Sequence, residues 1–243
     1  MEHRGARDMN ASSFHLMVIG AHAADAEVMA GGAVLLHTRQ GHQATLLHLT
    51  LGGKGHPTLD EEIYSHQKEA EARACAAALG ADVRFLPYRD GELYPSEEVK
   101  FAVADVIRAV RPDVVITHWR ESMHKDHANT HLIVQDAVFY AAIRGFGRAD
   151  PPHSVRRLYY AENWEDPFGF PPEVYLDISP VFVDWLQALR SYELFRGGIS
   201  RFPYLDYYQA LAVVRGAEAS FPQAEAFAIP PLARRQRLKS FAS

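Results

Sequence analysis

Residues Val18 to Gly32 read VIGAHAADAEVMAGG: an apolar run, then His22 and Asp25 three positions apart, then a helical pattern. A second group, HKDH, spans His124 to His127. A catalytic zinc takes three protein ligands and keeps a further position open for water. An imidazole and a carboxylate from the first segment, joined by imidazoles from the second, supply such a donor set. The same set suits Fe²⁺ with open positions. His-x-x-Asp recurs by chance, and alone it reads better as a strand-to-helix turn with a capping aspartate. Its pairing with His-x-Asp-His favours the metal. Four of the 13 histidines fall between His118 and His131, a concentration beside aspartate that points to metal or acid–base chemistry. His131 is one helical turn beyond His127 and suits the site or the core equally.

Elements that bring these segments together follow from the hydrophobic pattern. FHLMVIG, ATLLHLT, VRFLP and DVVITH read as four buried strands. The segments between them have helical spacing. Ser96 is placed to cap the third helix, and Pro112 ends it. Strand and helix alternate through the first 145 residues, which predicts a Rossmann-like α/β fold: a mostly parallel sheet flanked by helices. His22 and Asp25 follow the first strand, and His118, His124 and His127 follow the fourth. Both loops leave carboxyl ends of strands, where open α/β sheets bind ligands. Beyond about residue 150 the pattern is less regular: VRRLYYAE and EVYLDIS read as strands, and VFVDWLQALRSYEL and YLDYYQALAVVRG as helices. The expected organisation is one α/β domain over 13–243 after a flexible tail, 1–12.

Composition narrows the function. A net charge of −5 gives no electrostatic footprint for nucleic acid; the basic run ARRQRLK reads as a solvated tail. The single cysteine, Cys75, allows no intrachain disulfide, fits a reducing cytoplasm and reads as a small buried residue. The N-terminal stretch lacks the apolar centre of a signal peptide, and no run approaches the roughly 20 apolar residues of a membrane span. A nucleotide-binding oxidoreductase would suit the fold class, but bulky His22 stands where the glycine-rich turn would be.

GAHAADAEVMAGG resembles the AHPDDAE…GAGG signature of the PIG-L/LmbE-type N-acetylglucosamine deacetylases, and RPDVVITHWRESMHKDHANTH resembles that family's second signature. Further echoes include YRDGEL, VYLDIS and RGAEASFPQAEAF, so that the resemblance runs over residues 14–228. It implies a zinc hydrolase on a Rossmann-like fold, cleaving the amide of an N-acetylated amino sugar or related conjugate. Family members are often oligomers, so a homo-oligomer is a further expectation. Carried over by position, the metal ligands are His22, Asp25 and His127. His124 matches the histidine that steadies the oxyanion or protonates the leaving amine, and Asp126 would orient a neighbouring histidine. Asp90 matches a position associated with substrate. Lys54, in LGGKG, is a second expected substrate contact on the residues' own chemistry, against the reading of a plain turn.

The chain departs from the signature at one functional position. Ala23 and Ala24 stand where the family has Pro and Asp, and that aspartate is the general base toward the attacking water. A positioned base contributes about 10²–10⁴-fold. Either hydrolysis is impaired, or another carboxylate substitutes, with Asp126 and Asp90 as candidates. Glu27 lies one turn past Ala24 and reads as structural. The alternative function is a non-catalytic, metal-containing protein that binds a sugar conjugate.

Overall fold

The computed structural model describes residues 14–166 and 168–234. The expected tail at 1–12 and most of the basic run lie outside these residues. Seven strands form one sheet in the order β3-β2-β1-β4-β5-β7-β6. They are β1 (His15–Gly20), β2 (Gln43–Thr50), β3 (Asp82–Tyr88), β4 (Val114–His118), β5 (Arg157–Ala161), β6 (Val174–Asp177) and β7 (Ala224–Ala228). The first five run parallel, while β7 is antiparallel to both β5 and β6. The predicted mostly parallel α/β sheet is therefore present. Hydrophobic patterning does not reveal β7, whose AEAFA is short and weakly β-forming.

Six α-helices cover the two faces: α1 (Asp25–Arg39), α2 (Glu61–Leu79), α3 (Glu97–Val110), α4 (Lys125–Ala142), α5 (Phe182–Leu189) and α6 (Tyr204–Ala219). Alternation along β1 divides the core. Leu16 and Val18 join the apolar layer with residues of α1, α2, α5 and α6, whereas Met17 and Ile19 join the layer of α3 and α4. Cys75 is buried in the first of these layers. Ser96 caps α3, its side chain accepting the Val99 amide.

Helix α1 is not continuous. Ala30 has φ −152° and ψ 21°, which breaks the hydrogen-bond ladder. The break is tied to the C-terminal part of the chain. Glu225 of β7 accepts the Gly32 and Ala33 amides, each at 2.8 Å, and Trp185 of α5 donates to the Glu27 carbonyl at 2.8 Å. The carboxyl group thus caps the second half of the helix, where orphan amides need acceptors. Gly31 must be glycine, since a Cβ there would stand 2.5 Å from Trp185 Nε1.

The chain moves outward from β1 through β2 to β3, then returns to the other side of β1 with β4. The carboxyl ends of β1 and β4 therefore flank a topological switch point, where a crevice opens.

Candidate metal centre

Strand β1 ends at Gly20, where a Cβ would approach the Ala26 amide to 2.9 Å; the close entry into α1 requires glycine. The turn that follows depends on Ala24, which takes a left-handed conformation at φ 96°. This conformation is costly for a residue with a Cβ. It returns the chain so that the Asp25 amide bonds the His22 carbonyl at 3.1 Å, and both side chains face one point. Asp25 Oδ2 accepts the His22 amide at 2.8 Å and lies 3.0 Å from His22 Nδ1. His48 Nδ1, 3.2 Å from the His22 carbonyl, steadies the turn from β2.

The second ligand segment begins α4. Ser122 Oγ accepts the His124 amide, and His124 Nδ1 accepts the Asp126 amide at 3.2 Å as the helix cap. One turn of helix then carries Asp126 and His127 inward, both buried. His127 Nε2 lies 3.3 Å from Asp25 Oδ2. Two imidazole nitrogens from separate loops thus converge on one carboxylate oxygen.

Each of these imidazoles has its other nitrogen engaged by acid. His22 Nε2 stands 3.3 Å from Asp126 Oδ2 and 3.3 Å from Asp90 Oδ1. His127 Nδ1 stands 3.3 Å from Asp166 Oδ1. Carboxylates in this position fix the ring orientation of metal-binding histidines and raise their basicity. Asp126 is itself held by the Gly91 amide at 2.7 Å, and Asp90 by the Lys54 amide at 2.9 Å. Asn163 Nδ2 lies 3.3 Å from Asp25 Oδ1, the oxygen turned away from the histidines, and Asn163 Oδ1 accepts the Tyr208 hydroxyl at 2.9 Å.

The donor set suits zinc on its chemistry; donor atoms of His22, His124 and His127 lie within 4.8 Å of one another, as do those of Asp25, His118 and His127, so that the expected ligands are divided between two overlapping groups. Ligands about 2.0–2.1 Å from a tetrahedral ion stand about 3.3–3.4 Å from one another. The 3.0 and 3.3 Å separations around Asp25 Oδ2 agree with that. His118 also crowds the cluster, 3.4 Å from Asp25 Oδ2, but its Nε2 accepts the Ala21 amide at 3.0 Å. That lone pair is spent on the backbone, which sets His118 apart from His22 and His127.

Charge follows the geometry. Burial opposes ionisation of His22, yet Asp126, Asp25 and Asp90 hold its pKa well above the usual value. Burial likewise opposes charge on His127, and Asp25 and Asp166 overcome it, lifting the pKa to about 9. Asp25 is driven well below the carboxylate range, its burial outweighed by His127, His118 and His22. Asp90 is lowered to about 2 against its burial, chiefly by His22. His124 moves the other way: burial and the neighbouring His22 and His127 lower it, favouring the neutral ring. Since its Nδ1 accepts an amide, the neutral ring carries its proton on Nε2.

A cavity opens over this cluster. Its wall includes His22, Asp25, Asp90, His124, His127 and both Ala23 and Ala24. Asp126 lies beneath it, its side chain fully buried. Lys54 does not line the cavity; its ammonium pairs with Glu92 at 2.6 Å in a half-exposed position. His131 faces away, its Nδ1 3.0 Å from the His118 carbonyl, and serves the packing around Trp119 and Tyr160. Glu27 is buried under the site, accepting the Tyr192 hydroxyl at 2.6 Å.

Several residues on or behind the wall escape a reading of the sequence. Asn163, Glu165 and Asp166 follow β5 in AENWED, another loop at a strand's carboxyl end; that rule applied to the fifth strand would have found them. Glu165 lines the cavity, and Glu165 Oε2 is 3.4 Å from His127 Nε2. Burial raises its pKa. Lys68 of α2 is buried, donates to the Ala23 carbonyl at 2.5 Å, and is the one lysine or arginine on the wall among the described residues. In an amphipathic helix, a lone lysine gives no sign of pointing inward. The remaining wall is aromatic, with Tyr64, Trp164, Phe195 and Tyr204.

Comparisons with known proteins identify the family and the fold. Residues 17–138, half of the chain, match the PIG-L family model, described as GlcNAc-PI de-N-acetylase. The chain is 27% identical over 225 residues to a 4-oxalmesaconate hydratase of Pseudomonas putida, covering 89% of this chain and 85% of the relative. It is 27% identical over 237 residues to a diacetylchitobiose deacetylase of Thermococcus kodakarensis, covering 89% and 83%. The crystal structure of a conserved protein of Thermus thermophilus superposes with a TM-score of 0.78 at 26% identity, over 88% of this chain and 94% of the other. The chain belongs to the PIG-L family of GlcNAc-PI de-N-acetylases.

Proposed function

We propose that this protein is a zinc-dependent hydrolase that removes the acyl group from the nitrogen of an amino sugar or a related small conjugate. The observation that carries this reading is the convergence of His22 Nδ1 and His127 Nε2 on Asp25 Oδ2, with the far nitrogen of each ring against a carboxylate. His22, Asp25 and His127 would hold the ion, with Fe²⁺ as the other metal suited to the set. An ion held there would supply a Lewis acid for the acyl carbonyl and a water with pKa lowered to about 7.

The chain's own groups supply the rest. Asp126 keeps His22 in register and, being buried, acts through that ring rather than on substrate. His124 presents a neutral N–H donor beside the candidate ligands, suited to an oxyanion. Asp90, on the wall, suits a sugar hydroxyl. Lys54, held by Glu92, would meet only a substituent that extends to the rim. The aromatic wall favours the apolar face of a sugar ring.

The hydratase relative supports a second reading, addition of water to a carbon–carbon double bond. Loss of the usual base at Ala24 is compatible with such a change of chemistry. A polyanionic substrate would ask for several cations, however, and Lys68 alone on an aromatic wall favours the sugar.

The test is elemental analysis of the purified protein with acetate release from a panel of N-acetylglucosamine conjugates, and 4-oxalmesaconate as the hydration arm. One zinc per chain and acetate release are expected. Asp25→Ala and His127→Ala should lose the ion and the activity together. Metal-replete protein that is inert on the panel but hydrates the alkene would replace this reading with the second.

A further inference from the structure

Ala24 has no carboxylate, and the two candidates from the sequence are both engaged elsewhere. Asp126 is fully buried beneath the cavity, bound to the Gly91 amide and facing His22 Nε2. Asp90 accepts the Lys54 amide and faces the same nitrogen of His22. Both act on the ring from the side away from Asp25.

Glu165 is held differently: it lies on the Asp25 side of the cluster, beside His127 rather than behind His22. It sits on the cavity wall with its side chain 22% exposed, so that water and substrate reach it. Its backbone is fixed: the Glu165 carbonyl accepts the Met123 amide at 2.8 Å and Ser122 Oγ at 3.2 Å, immediately before His124. Its carboxylate receives no hydrogen bond from a backbone amide, hydroxyl, lysine or arginine among the described residues. The nearest polar atom recorded for it is His127 Nε2 at 3.4 Å, the nitrogen that also faces Asp25. A carboxylate mounted on a fixed backbone, bordering a ligand nitrogen and left free to accept, is placed for proton transfer.

We propose that Glu165 is the catalytic carboxylate that stands in for the side chain missing at Ala24. The inference rests on the deacylase reading above. In the step assigned to it, an O–H bond of water breaks as the water oxygen bonds to the acyl carbon. The proton passes to the Glu165 carboxylate, and the carbonyl electron pair moves onto its oxygen near His124. Return of that pair breaks the C–N bond, and the nitrogen leaves with the proton from Glu165. Water and amide are consumed, carboxylic acid and free amine are formed, and Glu165 is restored.

The experiment compares the zinc-loaded wild type with Glu165→Gln, Glu165→Ala, Ala24→Asp and the Glu165→Gln/Ala24→Asp pair. Zinc content and the visible spectrum of the Co²⁺-substituted proteins are read beside kinetics. The expected result is a fall in kcat of about 10²–10⁴-fold for both Glu165 variants with little change in KM. Zinc stoichiometry and Co²⁺ spectra should match the wild type. Ala24→Asp in the Glu165→Gln background should recover at least about tenfold of the loss, since it returns a carboxylate of the same function. A Glu165→Gln variant as active as an active wild type overturns this assignment alone. Loss of the ion or a shifted Co²⁺ spectrum overturns it in favour of a fourth ligand. A wild type that releases no acyl group from any panel member overturns the deacylase reading itself, and with it the step assigned to Glu165.

Discussion

His22 and His127 divide their nitrogens in the same way, one toward Asp25 and the other toward a carboxylate behind. The oxygen they share is itself oriented. Asn163 touches Asp25 Oδ1, and Tyr208 from α6 fixes Asn163. Removing such supporting contacts costs metal sites about 10–100-fold in affinity. Tyr208→Phe is therefore expected to weaken zinc binding by about tenfold while the fold persists, measured by competition with a chromophoric chelator; unchanged affinity would show that Asn163 holds Asp25 without the hydroxyl. The turn at Ala24 retains a left-handed backbone at φ 96° although its side chain carries no function. The turn brings the Asp25 amide to the His22 carbonyl at 3.1 Å.

At the scale of elements, α1 is two helical pieces joined across the break at Ala30, and Glu225 caps the second. Burial pushes the Glu225 carboxyl up to about 8, against the pull of the Gly32 and Ala33 amides. An unfolded chain releases this proton near the ordinary 4.5, whereas the folded chain keeps it until about 8. The unfolded state therefore binds fewer protons across that interval, and stability falls as pH rises through it. Glu225→Gln abolishes this titration and leaves one oxygen where two accepted amides. The variant should be less stable at pH 5 by about 1 kcal/mol, the worth of one cap contact, and the difference should vanish and then reverse as pH rises toward 8, because each pH unit of that interval costs the wild type up to about 1.4 kcal/mol. Denaturant melts at the two pH values measure it. A deficit that stays constant from pH 5 to pH 8 would mean that the carboxylate is charged in the folded protein throughout.

Across the whole molecule, the residues behind the cluster come from late in the chain. Asn163, Glu165 and Asp166 follow β5, Tyr208 belongs to α6, and Trp185 and Glu225 secure α1. A chain ending at residue 150 keeps every expected metal ligand yet loses these supports and three strands of the sheet. It should fail to bind zinc stoichiometrically and should lose near-ultraviolet circular dichroism. A truncated chain with one tightly held zinc would show that the N-terminal elements suffice.

Much of this was legible in the residues themselves. Apolar runs of strand length alternating with helical spacing determined the parallel sheet, because each pattern buries its apolar face in only one kind of element. The histidines after the first and fourth strands pointed to the carboxyl ends of those strands. Only tertiary structure decided what surrounds those residues. Sheet order set β1 beside β4, and the return of the chain after residue 150 put Glu165, Asp166, Tyr208 and Glu225 against segments read far earlier in the chain. Contacts at that separation depend on where the backbone crosses itself, and periodicity, a local property, holds no record of the crossing.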